Sequence, residues 1–173
     1  MDAILYLRQE HQKFRKTLAE IAKLSTIQKK KIKFNAFSRD LQLHEKMEEK
    51  IWYPVLRKYK QLRDIINHLI SEEKSAEQAL QKFKKVQFDF MWKLRFYKFS
   101  HDVDHHAKEE EEELFPKVRK LLSKSELNTL GTQMRKFKSS LGKQKVAKKK
   151  SVKKKSSKKK SATKKSLKKK TKK

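Results

Sequence analysis

His106 and Glu110 stand four residues apart, in a run that closes on Leu114, Phe115 and Pro116. On a helix that spacing stacks an imidazole and a carboxylate on one face. Such a pair can ligate a metal ion held between packed helices. A single His-x-x-x-Glu occurs by chance in any charged helix. Here it is written twice. His44, Glu48, Glu49, Tyr53 and Pro54 repeat the His, the double Glu, the aromatic and the Pro at an offset of 62 residues.

The offset extends well beyond the motif. Phe34, Phe37, Asp40 and Leu41 align with Phe96, Phe99, Asp102 and Val103. Asp2, Ile4, Leu7, Glu10, Leu18 and Leu24 align with Asp64, Ile66, Leu69, Glu72, Leu80 and Val86. The chain therefore reads as one two-helix hairpin written twice, with His11 falling opposite Glu73.

Four helices must position these residues. Helix 1 is expected over about 2–23, capped by Asp2, with Ile4, Leu7, His11, Phe14, Leu18 and Ile21 on one stripe. Residues 25–33 are polar and basic and read as a connection. Helix 2 then starts near 33–35, carries Phe34, Phe37, Leu41, His44, Glu48 and Trp52 inward, and ends or kinks at Pro54. Helix 3 is expected over about 64–85, with Glu73 in the centre of its apolar stripe. A break at 87–89 leads to helix 4 over about 90–122, with Trp92, Phe96, Phe99, Val103, His106, Glu110 and Leu114 inward. Ser123 or Ser125 can cap a short fifth helix to about 140 that packs outside the bundle, and Gly142 is a plausible stop. Two Gly and two Pro in 173 residues exclude a turn-rich β fold. The expectation is all-α: an up-down antiparallel four-helix bundle over residues 1–142, a short fifth helix, and a disordered basic tail over 143–173.

The four stripes bring His11, His44, Glu48, Glu73, His106 and Glu110 to similar depth, and Glu77, one turn past Glu73, is a possible addition. Buried carboxylates are costly unless paired or bound to a cation. Carboxylates can bridge two cations, and imidazoles suit iron, manganese or zinc. A dinuclear metal site accounts for the whole set economically. The alternative is a degenerate site kept as a buried polar cluster. His101 and His105 read as a solvated edge, and would replace His106 only if the register were off by one. His68 reads as exposed, and the run 109–113, apart from Glu110, as a solvated acidic face.

On these residues the chain resembles the hemerythrin-like, or HHE cation-binding, domain. The resemblance covers residues 1 to about 137 and rests on the two His-x-x-x-Glu-Glu blocks with trailing aromatic-Pro, together with Glu10 and His11. It implies a non-haem di-iron site, with His11, His44 and His106 as terminal ligands and Glu48 and Glu110 as bridges. The third helix of the family usually supplies a His in a Glu-His pair, where this chain has Glu72 and Glu73. That substitution makes the donor set richer in oxygen, closer to a ferritin-like site, and puts reversible oxygen carriage in doubt.

Charge divides the chain. Lys and Arg number 49 against 20 Asp and Glu. Residues 143–173 hold 18 Lys and no acid, which leaves 31 basic against 20 acidic, or +11, for residues 1–142. The tail has almost no large apolar side chains and cannot offset its ordering entropy. Its clusters Lys148, Lys149, Lys150, Lys153, Lys154, Lys155, Lys158, Lys159, Lys160, Lys164, Lys165, Lys168, Lys169 and Lys170 are suited to neutralising phosphates without reading sequence. In composition the segment resembles the lysine-rich tails of linker histones and some bacterial histone-like proteins. A solubilising role, anionic lipid, or a nuclear-import signal are the competing uses.

The absence of Cys excludes disulfides, thiolate sites and Cys nucleophiles. No apolar run reaches membrane-spanning length, and the N-terminus is not a secretory signal. A cytoplasmic location is expected, nucleoid-associated through the tail, or nuclear in a eukaryotic cell. No Gly-rich phosphate loop, recognisable catalytic triad or DNA-reading helix motif is present. Three functions stay open: iron or oxygen binding and sensing near nucleic acid, a di-iron oxidase, peroxidase or iron-repair enzyme, and a structural DNA-binding protein with a vestigial metal site. Dioxygen or another small ligand is the expected partner at the metal.

Overall fold

The computed structural model describes residues 1–83, 86 and 88–141. The expected tail with its Lys clusters, the stop at Gly142, Gln87 within the expected break, and the end of the third helix at Lys85 lie outside the described residues. Those residues fall into a body that extends to Lys136 and a segment from Phe137 that completes the last helix.

The body is built from helices alone among the described residues. They are α1 (Ala3–Lys23), α2 (Ile27–Met47), a first π-turn (Glu48–Trp52), α3 (Tyr53–Leu56) and a 3-10 turn (Lys60–Leu62). Then come α4 (Arg63–Phe83), α5 (Asp89–Glu109), a second π-turn (Glu110–Leu114) and α6 (Phe115–Leu121). A last helix, α7, covers 124–141. Cross-helix pairs run in opposite senses throughout. Lys13 meets Asp40 and Lys33 meets Glu20 between α1 and α2, while His106 meets Glu72 and Arg95 meets Lys82 between α5 and α4. Helix α1 also packs on α5, and α2 on α4, so the four long helices close into an antiparallel bundle.

Local chemistry accounts for the boundaries. Asp2 accepts from the Leu5 N–H at 2.8 Å and caps α1 as expected. Helix α2 begins at Ile27, about two turns before the expected start at 33–35. Thr26 caps it through the Lys29 N–H, and Lys is a good helix former. The basic run is therefore helix and not connection. Lys30 donates to the Ala22 carbonyl and Lys33 pairs with Glu20, which ties the run back to α1. Ser123 and Glu126 form a reciprocal capping box at the start of α7. Leu127, Leu130 and Met134 of that helix are buried. At Gly131 a Cβ would sit 2.5 Å from the Met1 carbonyl oxygen and 2.8 Å from the Ala3 nitrogen, so only Gly lets α7 approach the start of α1.

Neither Pro ends its helix. The ring of Pro54 would clash with the carbonyl of Lys50 in a continuous α-helix. The π-turn absorbs this: the Tyr53 N–H bonds to Glu48 O, five residues back. Pro116 is accommodated in the same way, with the Phe115 N–H on Glu110 O. Each π-turn thus begins at one of the two repeated Glu positions.

Two apolar blocks enclose a polar layer. On one side Phe34 meets Trp92, Phe96 and Phe99 edge-on, with ring centroids 5.5–5.8 Å apart. On the other Ile4, Leu7, Trp52, Leu56, Ile66, Leu114 and Val118 are buried. No helix among the described residues is long and apolar enough to cross a membrane.

Candidate metal centre

Between the two blocks lie His11, His44, Glu48, Glu73 and Glu110, all buried, with His106 15% exposed. The six come together as two ligand groups. His11, His44, Glu48 and Glu110 present donor atoms within 4.8 Å of one another, and so do Glu48, Glu73 and His106. Glu48 belongs to both. The His11 Nε2 to Glu110 Oε2 distance is 3.3 Å, and His44 Nε2 to Glu48 Oε2 is 3.1 Å. Neighbouring donors on an ion with bonds of about 2.0–2.2 Å stand at about this spacing. Glu77 is exposed and stands outside both groups.

The inward atoms have no hydrogen bonds among the described residues. They are His11 Nε2, His106 Nε2, both Glu48 oxygens, Glu73 Oε1 and Glu110 Oε2. Buried polar atoms are normally satisfied, and each orphan costs about 1–3 kcal/mol. So many in one layer, gathered into two groups that share Glu48, fit metal binding. Iron, manganese and zinc all suit this mixture of imidazole and carboxylate.

Hydrogen bonds on the outer face orient two of the three imidazoles, His11 and His106. His11 Nδ1 lies 2.9 Å from Glu111 Oε1, and His106 Nδ1 lies 2.9 Å from Glu72 Oε2. His44 Nδ1 faces Glu10 Oε2 at 3.9 Å. A proton held on Nδ1 by a carboxylate leaves the Nε2 lone pair free to ligate, and that tautomer follows from the network. Glu111 is itself held by Arg15 at 2.9 Å, so the expectation of a solvated acidic face fails at this residue. The π-turn and the cation on α1 draw Glu111 inward. His101, His105 and His68 are exposed as expected, with His101 stacked on His105.

The repeat signals part of this outer layer. Glu10 over His44 and Glu72 over His106 are the same pair, 62 residues apart. The counterpart of Glu111 is Glu49, which lies out at the surface beside Lys50. The residue that Glu49 would orient is Glu73 in place of a His, and a carboxylate has no ring N–H to be held.

Electrostatics follow from burial. Burial first, then the charges of Glu110 and Glu73, push the Glu48 carboxyl well above the usual range. Burial likewise pushes Glu73 up to about 9, against the lowering influence of the neighbouring Tyr53 hydroxyl. Burial, with His11 and His106 nearby, holds His44 well below the ordinary imidazole value. At His11 burial acts downward but is outweighed by Glu110 and Glu111, and its pKa is raised. Tyr53 donates to Glu110 Oε1 at 3.3 Å, and burial keeps its phenol protonated well above the ordinary value. Without a cation the layer must hold protons on its carboxyls, and a cation would replace them.

Glu111→Gln keeps the shape but weakens the hold on His11 Nδ1. Metal affinity is expected to fall by about 10–100-fold with the helical content unchanged, measured by competition with a chelator and by circular dichroism.

No curated protein and no solved structure matches this chain. The family model for the hemerythrin HHE cation-binding domain matches residues 2–118, a span that holds all six clustered residues. By that match and by the His/Glu layer it contains, the chain belongs to the hemerythrin HHE cation-binding family.

Proposed function

We propose that the protein holds two iron ions in this layer and binds or senses iron or a small ligand such as dioxygen there. The observation that carries the reading is the place of Glu48 in both ligand groups, where one carboxylate can bridge two ions. His11, His44, Glu48 and Glu110 would hold one ion, and Glu48, Glu73 and His106 the other. Bound iron would supply a position for the small ligand and the electrons to reduce it.

The protein's own residues do the rest. Glu111 and Glu72 fix the rings of His11 and His106. Tyr53 holds a phenolic proton on Glu110. A cavity of about 270 Å³ reaches the ligands, and Phe14, Leu18, Leu41 and Val103 give it apolar walls that disfavour water.

Iron analysis and an absorption spectrum on the full chain, purified from iron-replete cells, test this. About two irons per chain are expected. A folded, metal-free protein that refuses ferrous iron under anaerobic titration would leave only a vestigial site. The carboxylate-rich set, with Glu73 in place of a His, favours an oxidase or peroxidase reading as the second choice. Turnover with ferrous iron plus peroxide separates it from simple binding.

The proposal extends to nucleic acid. Eighteen Lys without one acid in residues 143–173 suit a salt-dependent grip on phosphates. A chain ending at Leu141 should lose most of its DNA affinity, measured by fluorescence anisotropy at two salt concentrations. Unchanged affinity would remove the tail from the function.

A further inference from the structure

A second group of ligands lies on the outside of the bundle, apart from the six residues described above. Helix α4 presents His68 and Glu72 four residues apart, and α5 presents His105 and Glu109 at the same spacing. The antiparallel packing of α4 and α5 sets the two pairs face to face. His68 Nε2 stands 3.2 Å from Glu109 Oε2 and 3.7 Å from Glu72 Oε1. His105 Nε2 stands 3.9 Å from Glu72 Oε1 and 3.9 Å from Glu109 Oε1. Donor atoms of His68, Glu72 and Glu109 all fall within 4.8 Å of one another.

We propose that His68, Glu72, His105 and Glu109 form a separate surface site for a divalent transition metal ion, with a tetrahedral His2Glu2 donor set of the kind zinc takes. Tetrahedral bonds of about 2.0–2.2 Å put neighbouring donors about 3.3–3.6 Å apart. The two His68 distances bracket that value. His105 stands outside the group of three, 3.9 Å from Glu72 Oε1 and from the other oxygen of Glu109, and completes the set by turning its side chain inward.

Three observations beyond proximity support the site. Glu109 Oε2 is shielded from solvent and has no hydrogen bond among the described residues, although it faces His68. A carboxylate oxygen so placed has a lone pair ready for a cation. Glu72 is already oriented by its other oxygen, since Oε2 is on His106 Nδ1 at 2.9 Å, which leaves Oε1 aimed outward. Finally, the site is not a by-product of the repeat. The positions 62 residues before His68, His105 and Glu109 are Tyr6, Leu43 and Met47, none of them an imidazole or a carboxylate. Only Glu72 has an equivalent, Glu10, and both serve the inner imidazoles. Two imidazoles and one carboxylate have thus been placed around a residue that the buried centre already needs.

The test uses zinc chloride as the probe, on the full chain, by isothermal titration and by competition with a chromophoric chelator. The Glu48→Gln/Glu110→Gln variant removes two inner ligands and is expected to keep one zinc per chain. Adding His68→Ala and His105→Ala should weaken that zinc by about a hundredfold or more, above the 10–100-fold typical of losing an outer partner. His101→Ala is the control, because His101 stacks on His105 without reaching either carboxylate of the set. If the doubly substituted inner centre fails to fold, the wild-type chain with its inner centre loaded serves instead. Zinc should then shift the ring resonances of His68 and His105 and spare His101. Equal zinc affinity with and without His68 and His105, or equal shifts at all three rings, would overturn the site. Loss of inner metal in the Glu48/Glu110 variant bears on the buried centre alone, so the two readings fail separately.

Discussion

Glu48→Gln is expected to abolish the metal binding proposed for the inner layer. Glu48 contributes to both ligand groups, and both of its oxygens are buried and without hydrogen bonds among the described residues. A Gln of the same shape keeps the packing at the start of the π-turn. Its neutral amide neither bridges two cations well nor neutralises their charge. Affinity should fall by more than the roughly 10–100-fold cost of an outer-layer substitution. Glu77→Gln supplies the contrast. Glu77 is exposed and outside both groups, so its loss should leave metal content unchanged. Metal analysis with circular dichroism on each variant checks the pair. Two metals retained in Glu48→Gln with wild-type affinity would sink the bridging assignment, and metal lost in Glu77→Gln would restore that residue as a ligand.

The metal-free chain should lose stability as the pH rises from about 6.5 to 9, and bound metal should remove most of that dependence. In the folded metal-free state Glu48 and Glu73 keep their protons well past the ordinary carboxyl range, Glu73 to about 9. The unfolded chain releases them near the ordinary carboxyl value of 4.5. The folded state therefore binds more protons in that interval, so raising the pH favours unfolding. Glu45, raised to about 8 by burial and the charge of Glu77, acts in the same direction. His44 acts oppositely: it stays neutral when folded, and the unfolded chain takes up its proton only below the ordinary value of 6.5. The loss is thus partly masked below that pH and full above it. Each proton of difference is worth about 1.4 kcal/mol per pH unit. Thermal melts with a chelator present should show Tm falling through this window, with a shallower fall in Glu73→Gln. With metal bound the carboxylates are already deprotonated, and the dependence should flatten. A metal-free Tm that is level or rising from pH 6.5 to 9 would mean the carboxyls hold no excess protons.

Much of this centre was legible in the chain because it is written twice. The offset that aligned His44 with His106 and Glu48 with Glu110 also aligned Glu10 with Glu72, and these are the carboxylates behind His44 and His106. Periodicity alone fixed the buried stripes, since only one phase of each helix is apolar enough to face inward. The start of α2 was misread because a Lys run looks like a solvated connection. Its helical state depends on Thr26 as a cap and on partners in α1, and α1 lies next to it only once the hairpin has closed.

Glu111 marks the limit more clearly. In the sequence it is one of five consecutive acids from Glu109 to Glu113, with nothing to separate it from its neighbours. In the fold it holds the ring of His11, from which it is 100 residues distant in the chain, and Arg15 draws it there. Its repeat equivalent, Glu49, lies at the surface. The four-residue spacing of His and Glu is a local property of one helix, and the sequence by itself determined it, along with the all-α class and the choice of candidate inner ligands. Which outer carboxylate turns inward, how a π-turn admits each Pro, and the meeting of His68 with Glu109 are products of contact between different helices. Tertiary packing alone decided them, because the energy of such contacts depends on neighbours that a chain read in order does not reveal.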